Sequence, residues 1–341
     1  MFASAQEPAA KPRANIALVL PLASSSFARH AAAVRQGFVN AANIQGGGDL
    51  PIVVYSTGEA SDEVLTTYQK AIDQGARMIV GPLTRNAVSA IAASDLVRVP
   101  TLTLNAPDGD VRVPGNMYVF GLQLENEARQ IAQLAYAEGK RSALTINDDT
   151  ALAKRIHQAF VDEWNKLGGR HQAEFAYSSS AVNLNALRQA LSARTADVVF
   201  IALNSDKTRL IRPFLGNAVQ IYASSQIVDD KSEPAANLDL NGVRFIDMPF
   251  ILQPDHAAVM LYPRLDAASV ELERFYALGI DAFRIAQDWL KNQEITRTAL
   301  DGVSGRISLT RDRQFLREGV PAQFSDGRAL ALTEHKVSAP Q

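Results

Sequence analysis

Arg77-Met-Ile-Val-Gly-Pro-Leu-Thr84 decides the fold. An apolar run, Met78 to Val80, stops at Gly81-Pro82, and an amphipathic segment opens at Thr84. This reads as a buried parallel strand, a turn at its carboxyl end, and a helix whose first amides have no partner within the helix. The same event precedes and follows it. Ile16-Ala-Leu-Val-Leu-Pro-Leu22 runs into Ser24-Ser25-Ser26, and Thr101-Leu-Thr-Leu-Asn105 runs into Ala106-Pro107-Asp108. In open α/β sheets, ligands sit outside the carboxyl ends of the strands. The chain therefore reads as built around a cleft.

The alternation continues outward from that stretch. Strands are predicted over 15–22, 51–56, 77–81, 100–104, 117–121, 141–146, 197–203, 219–223 and 243–248. The first helix places Phe27, Ala31, Val34, Phe38 and Ala42 on one face, with Ser24, Ser25 and Ser26 as cap candidates. Val64, Tyr68 and Ile72 line the second, which Gly75 closes. After Gly121 the alternation restarts: a helix over 124–138, a strand at 141–147, a long helix over 151–167 ending at Gly168-Gly169, and a strand at 197–203. Late in the chain, 269–292 reads as one helix with Leu272, Phe275, Tyr276, Gly279, Ala282, Phe283 and Ala286 inward. Gly302 to Leu309 and Ala322 to Leu332 read as short terminal strands. Two successive alternations predict an α/β protein of two similar lobes.

The chain has 341 residues, 47% hydrophobic and 21% charged, enough for about two domains with ordinary cores. A net charge of -2 gives no basic surplus, so a nucleic-acid partner is not expected. There is no cysteine, which excludes disulfides, zinc-thiolate sites, thiol nucleophiles and a lipid-modified cysteine within this chain. Phe2-Ala3-Ser4-Ala5 before Gln6-Glu7-Pro8 resembles the end of a secretory signal or, equally, a flexible start, and Ala9 to Arg13 a short linker.

Enzyme signatures are mostly absent. There is no G-x-S-x-G, no S-x-x-K, no G-x-x-x-x-G-K phosphate loop and no G-x-G-x-x-G after the first strand. His30, His157, His171, His256 and His335 stand singly, without metal-ligand spacing. Neither a metal nor a cofactor is expected. Acids cluster near strand ends at Asp108, Asp148, Asp149, Asp229, Asp230 and Asp247. Paired carboxylates can hydrolyse glycosides, but Asp148-Asp149-Thr150 is more simply a helix cap and Asp229-Asp230 a solvated loop. The strand-end hydroxyls and amides suit a carboxylate or small anion, or serve as plain caps. If a ligand binds, Ser24, Ser25, Ser26, Gly81, Leu83, Asn105 and Ala106 should line one wall and Ser224, Ser225 and Asp247 the other.

Several stretches resemble a known family. Ile16 to Leu22, Val34-Arg35-Gln36-Gly37-Phe38 and Ile79-Val80-Gly81-Pro82-Leu83 resemble type I periplasmic binding proteins. Val99 to Asn105, Leu124-Glu125-Asn126-Glu127-Ala128, Ala159-Phe160 with Trp164 and Gly168-Gly169, and Tyr222-Ala223-Ser224-Ser225 resemble one branch. So do Leu240 to Phe250, with Asp247-Met248-Pro249, and Tyr276 to Ala282, with Leu278-Gly279-x-Asp281-Ala282. That branch is the LppC-type lipoproteins that activate penicillin-binding proteins. Lipoprotein members begin with an acylated cysteine and long members carry a preceding helical-repeat domain, so this chain reads as a short member or an isolated binding-protein-like domain.

The resemblance implies two α/β lobes joined by a hinge. Lobe 1 is residues 15–121 plus 253–300, and lobe 2 is 122–252 plus 301–333. Residues 1–14 form a signal remnant and linker, and 334–341 a tail. It implies a non-catalytic periplasmic regulator, attached to the outer membrane in its precursor, that binds and stimulates a class A penicillin-binding protein in peptidoglycan synthesis. The alternative is a periplasmic receptor for a small amino-acid-like or peptide-like ligand, held in the cleft.

Overall fold

The computed structural model describes residues 14–332, except 47–50, 110, 194–195, 217–218, 231–232, 267 and 293–297. The expected tail, and the signal remnant and linker as far as residue 13, lie outside the described residues. The chain divides into two compact units. The first runs to Leu122 and adds Leu278–Arg297 and Leu309–Phe315. The second comprises Gln123–Ala277, Thr298–Ser308 and the chain from Leu316 onward.

In the first unit the order is β1 (Asn15–Leu20), α1 (Ala28–Gln45), β2 (Ile52–Ser56), α2 (Ser61–Asp73), β3 (Ala76–Val80), α3 (Arg85–Ala92), β4 (Thr101–Thr103) and β5 (Met117–Val119). The strands form a parallel sheet in the order β2-β1-β3-β4-β5. Every residue of β1 is buried, which is why Ile16 to Leu20 is continuously apolar rather than alternating. Gly81 follows β3 with φ at 107°, and a Cβ there would stand 2.0 Å from the Val19 carbonyl oxygen. Only glycine tolerates both the conformation and the approach to β1.

The second unit repeats the plan with α4 (Leu124–Ala137), β6 (Ser142–Asn147), α5 (Ala151–Lys166), β7 (Arg170–Ala176), α6 (Ala181–Ser192), β8 (Val198–Ala202), α7 (Ser205–Leu215), β9 (Gln220–Ala223), β10 (Arg244–Asp247) and α8 (Pro249–Leu252). The chain continues with α9 (Val270–Asn292), which belongs to the second unit up to Ala277 and to the first from Leu278, then β11 (Leu300–Asp301), β12 (Arg306–Leu309), β13 (Phe315–Glu318), β14 (Val320–Ser325) and β15 (Arg328–Ala331). The sheet runs β15-β14-β10-β9-β8-β6-β7. Strands β7 to β10 are parallel in the same relative order as the first sheet, and β14 and β15 extend them antiparallel. One face buries Ile146, Val199, Ile201, Ala223 and Phe245. The other buries Ala143, Phe160, Trp164 and Tyr222, with the Phe160 and Phe200 rings stacked 4.1 Å apart.

Three differences from the sequence reading have local causes. Strand β7 was not anticipated, because Arg170-His-Gln-Ala-Glu-Phe-Ala176 is polar and mostly half-buried at a sheet edge. The expected final strand is a hairpin, β14 and β15, turned at Asp326-Gly327 where both residues have positive φ. Residues 309–315, expected in lobe 2, cluster with the first unit, and 253–277, expected in lobe 1, with the second. There the Tyr276 ring packs on Phe250, the Arg264 guanidinium lies 4.3 Å over Phe250, and the Asp230 carboxylate accepts from the Val270 amide.

Candidate functional site

At the carboxyl end of β1 the Ser24 hydroxyl accepts from the amides of Phe27 (2.9 Å) and Ser26 (3.2 Å) and donates to the Glu59 carboxylate. Ser26 also offers its amide to Glu59 at 3.4 Å. These bonds from Ser24 and Ser26 hold the Glu59 carboxyl below the usual range. The donors expected to receive a ligand's carboxylate thus hold one belonging to the chain. Ser24 is buried, while Ser25 and Ser26 are exposed. Gly81 and Leu83 are buried, and the Gly81 amide is spent on the Leu102 carbonyl. Asn105 donates to the Leu83 carbonyl and accepts from the Ala106 amide, tying the β3 and β4 ends together.

Two of the three candidates of the second unit, Ser225 and Asp247, belong to a buried ionic knot. Asp247 closes β10, and its carboxylate takes two bonds from Arg274 of α9, at 3.1 Å and 2.6 Å, plus the Met248 amide at 2.8 Å. Arg274 also donates to the Ser225 carbonyl at 2.9 Å, and the Ser225 amide donates to Glu127 of α4 at 3.2 Å. Arg317 of β13 lies 3.8 Å from Glu127 and donates to the Ser304 carbonyl. Gln130 bridges α4 to β13, donating to the Arg317 carbonyl and accepting from the Gly319 amide. The Ser224 hydroxyl is buried without a hydrogen-bond partner.

Burial pushes the Glu127 carboxyl up, and the Asp247 charge adds to it, against the pull of Arg317, Ser225 and Arg274. For Arg274 burial works the other way, but the Asp247 charge and hydrogen bonds, with Glu127 behind them, outweigh it and raise the guanidinium. A small pocket beside this knot, lined by Gln123, Asn126, Gln130 and Gly319 among others, has room for about one water molecule.

The sequence reading named Asp247, Ser224 and Ser225 but missed Glu127, Arg274, Arg317, Gln130 and Glu59. Glu127 carried a signal: it shares a helix face with Leu124, Ala128 and Ile131. The other acids have structural partners. Asp148 accepts from the Thr150 amide and hydroxyl and pairs with Lys207; partial burial raises its carboxyl, but these bonds outweigh it and leave it below the usual range. Thr150 itself caps α5. Asp229 and Asp230, expected in a solvated loop, are both engaged: Asp229 by Ser205 and Arg209, Asp230 by the Val270 amide. Among the described residues no three His, Asp or Glu side chains gather as metal ligands would.

Residues 8–327 match the family described as "LppC putative lipoprotein". The chain belongs to the LppC family. This LppC chain is 27% identical over 356 residues to the "Penicillin-binding protein activator LpoA" of Photobacterium profundum, covering 92% of this chain and 56% of that protein. It is 28% identical over 337 residues to the protein of the same name from Vibrio cholerae, covering 86% and 54%. It thus spans about half the length of the curated relatives it matches.

Among solved structures, the LppC chain is similar to a "putative branched-chain amino acid ABC transporter" of Chromobacterium violaceum, at 34% identity and a TM-score of 0.76, covering 92% of this chain and all of that one. The C-domain of Haemophilus influenzae LpoA, described as "a regulator of PBP1A", superposes with a TM-score of 0.80 at 22% identity, covering 94% and 100%. At that identity the second likeness speaks to fold alone. The architecture is that of type I periplasmic binding proteins.

Proposed function

We propose that this chain is a non-catalytic periplasmic regulator that docks on a class A penicillin-binding protein and stimulates its peptidoglycan synthesis, within a precursor anchored to the outer membrane as a lipoprotein. The observation that carries the reading is the match to the LppC family over nearly the whole chain, with relatives named as penicillin-binding protein activators. The site chemistry supports it. Within each unit the strand-end groups that a receptor would turn toward a solute are largely engaged by the chain itself: Ser24 and Ser26 by Glu59, Asp247 by Arg274, Ser225 by Glu127 and Arg274. A regulator of this kind acts by binding one state of the synthase more tightly than another.

The test is reconstitution. The purified chain is added to a purified class A penicillin-binding protein, and complex formation and glycan-strand synthesis are followed. Binding with a rate increase supports the reading. Absence of both, together with saturable uptake of a branched-chain amino acid that raises the melting temperature, would instead favour the solute receptor, the reading in line with the name of the Chromobacterium violaceum protein.

A further inference from the structure

Strand β7 carries one residue too many for its partner. Ala143 pairs with His171 and Leu144 with Ala173, so Gln172 is the extra residue of a β-bulge. In a regular strand His171 and Glu174, three positions apart, would point to opposite faces. The bulge resets the alternation. Both then share the face of Ala143 and Thr145, the face covered by α5.

There the Nε2 atoms of His157 and His171 each lie 2.9 Å from Thr145 Oγ1, with the ring centroids 5.7 Å apart. Glu174 Oε2 lies 3.8 Å from His157 Nε2. A hydroxyl has one proton and two lone pairs, so it donates to at most one ring, and the tautomers of the rings decide which. His171 also bonds to the backbone of Ala173 in a way that favours its protonated form, hence to the carbonyl. With Nε2 engaged by Thr145, that donor is Nδ1, and Nε2 of the neutral ring is an acceptor. On that tautomer the order runs His157 Nε2–H to Thr145 Oγ1, Thr145 O–H to His171 Nε2, and His171 Nδ1–H to Ala173.

We propose that this His157–Thr145–His171 chain is a proton-sensitive latch that holds edge strand β7 to β6 and α5 while both rings are neutral and releases it in acid. A proton from solvent on His171 Nε2 turns the acceptor of the central bond into a donor facing the Thr145 proton. A second proton, on His157, sets two cations side by side. Burial opposes protonation of both rings; at His157 the Glu174 and Asp162 charges counter it in part, and at His171 the His157 ring adds to it while Ala173 and Glu174 counter it. The facing charges are Glu174 on β7 and Asp162 on α5. Strand β6 presents Thr145, β8 is wholly apolar, and α4 directs Glu125 to Arg155, Glu127 to Arg317 and Arg129 to Asn126.

The experiment is amide exchange on the intact chain across pH, corrected for intrinsic rates, with ring titration by NMR. Protection of 170–176 should fall as pH drops below about 6.5, by up to about tenfold per pH unit for each imidazole that takes a proton, while 198–202 stays protected. Both ring midpoints should lie below the ordinary imidazole value. The double variant His157→Gln/His171→Gln should flatten the acid dependence of β7. If that variant fails to fold, the wild-type measurements decide alone. Ring midpoints at or above the ordinary value, or β7 and β8 losing protection in parallel, would overturn the proposal.

Discussion

Arg274 grips Asp247 at two points, Nε to Oδ1 and Nη2 to Oδ2, and thereby ties α9 to the end of β10. Asp247 is 2% exposed, and the Arg274 side chain that covers it is 13% exposed. Opposite charges buried together offset each other's lost hydration, and neither is tolerated there alone.

Asp247→Ala or Arg274→Met should therefore lower stability by about 3–5 kcal/mol, since each leaves a buried charge without its partner. The pair Asp247→Ala/Arg274→Met should cost less than the sum of the singles. Urea unfolding of the four proteins gives the coupling directly, and additive losses would contradict the pairing.

Glu127 gives a pH dependence of the opposite kind from a surface acid. Burial raises its carboxyl, so the folded chain binds this proton more tightly than the unfolded one does. The contribution is fully present below the unfolded value of about 4.3 and is lost as pH rises through the folded value. Glu127→Gln, which keeps an acceptor for the Ser225 amide, should gain stability relative to wild type at pH 8 and show no gain near pH 4. Denaturation midpoints at the two pH values check the sign.

The serines after β1 should separate sharply. Ser24→Ala removes the acceptor of two amides and the partner of Glu59, and should lose about 1 kcal/mol. Ser25 is exposed, so Ser25→Ala should stay within about 0.5 kcal/mol of wild type. Neither change should abolish binding of a penicillin-binding protein, which a pull-down with the folded variants measures.

Gly279 in α9 lies against α1: a Cβ there would stand 2.1 Å from the Val34 carbonyl oxygen and 2.9 Å from the Phe38 amide nitrogen. Backbone cannot move aside as a side chain does. Gly279→Ala should cost about 3 kcal/mol, read as a lowered thermal midpoint, despite alanine's better helix propensity.

How legible all this is from sequence depends on whether burial leaves a period. The parallel strands β1, β3, β6 and β8 are largely buried, mostly apolar runs bounded by turns, and were read nearly to the residue. Edge strand β7 has no such run, and its bulge breaks the alternation that would otherwise mark it. In α9 a single inward stripe was read, whereas Tyr276 to Phe283 are all buried. Arg274, just before that stretch, was not among the inward positions read, and its partner, Asp247, is 27 residues away on another element. A buried ion pair has no signature along the chain; each half looks like an ordinary surface charge. For the same reason Asp247 could be placed at a strand end but not assigned its arginine.

Glu59 at Ser24 has a further consequence for competition. A carboxylate fixed on the same fold faces its donors at an effective concentration in the millimolar range or above, as tethered groups do. An acid arriving free in solution would have to outcompete an occupant that never diffuses away. At micromolar abundance it would find those donors already taken, so Ser24 screens out weak anionic solutes before any selectivity between them could matter.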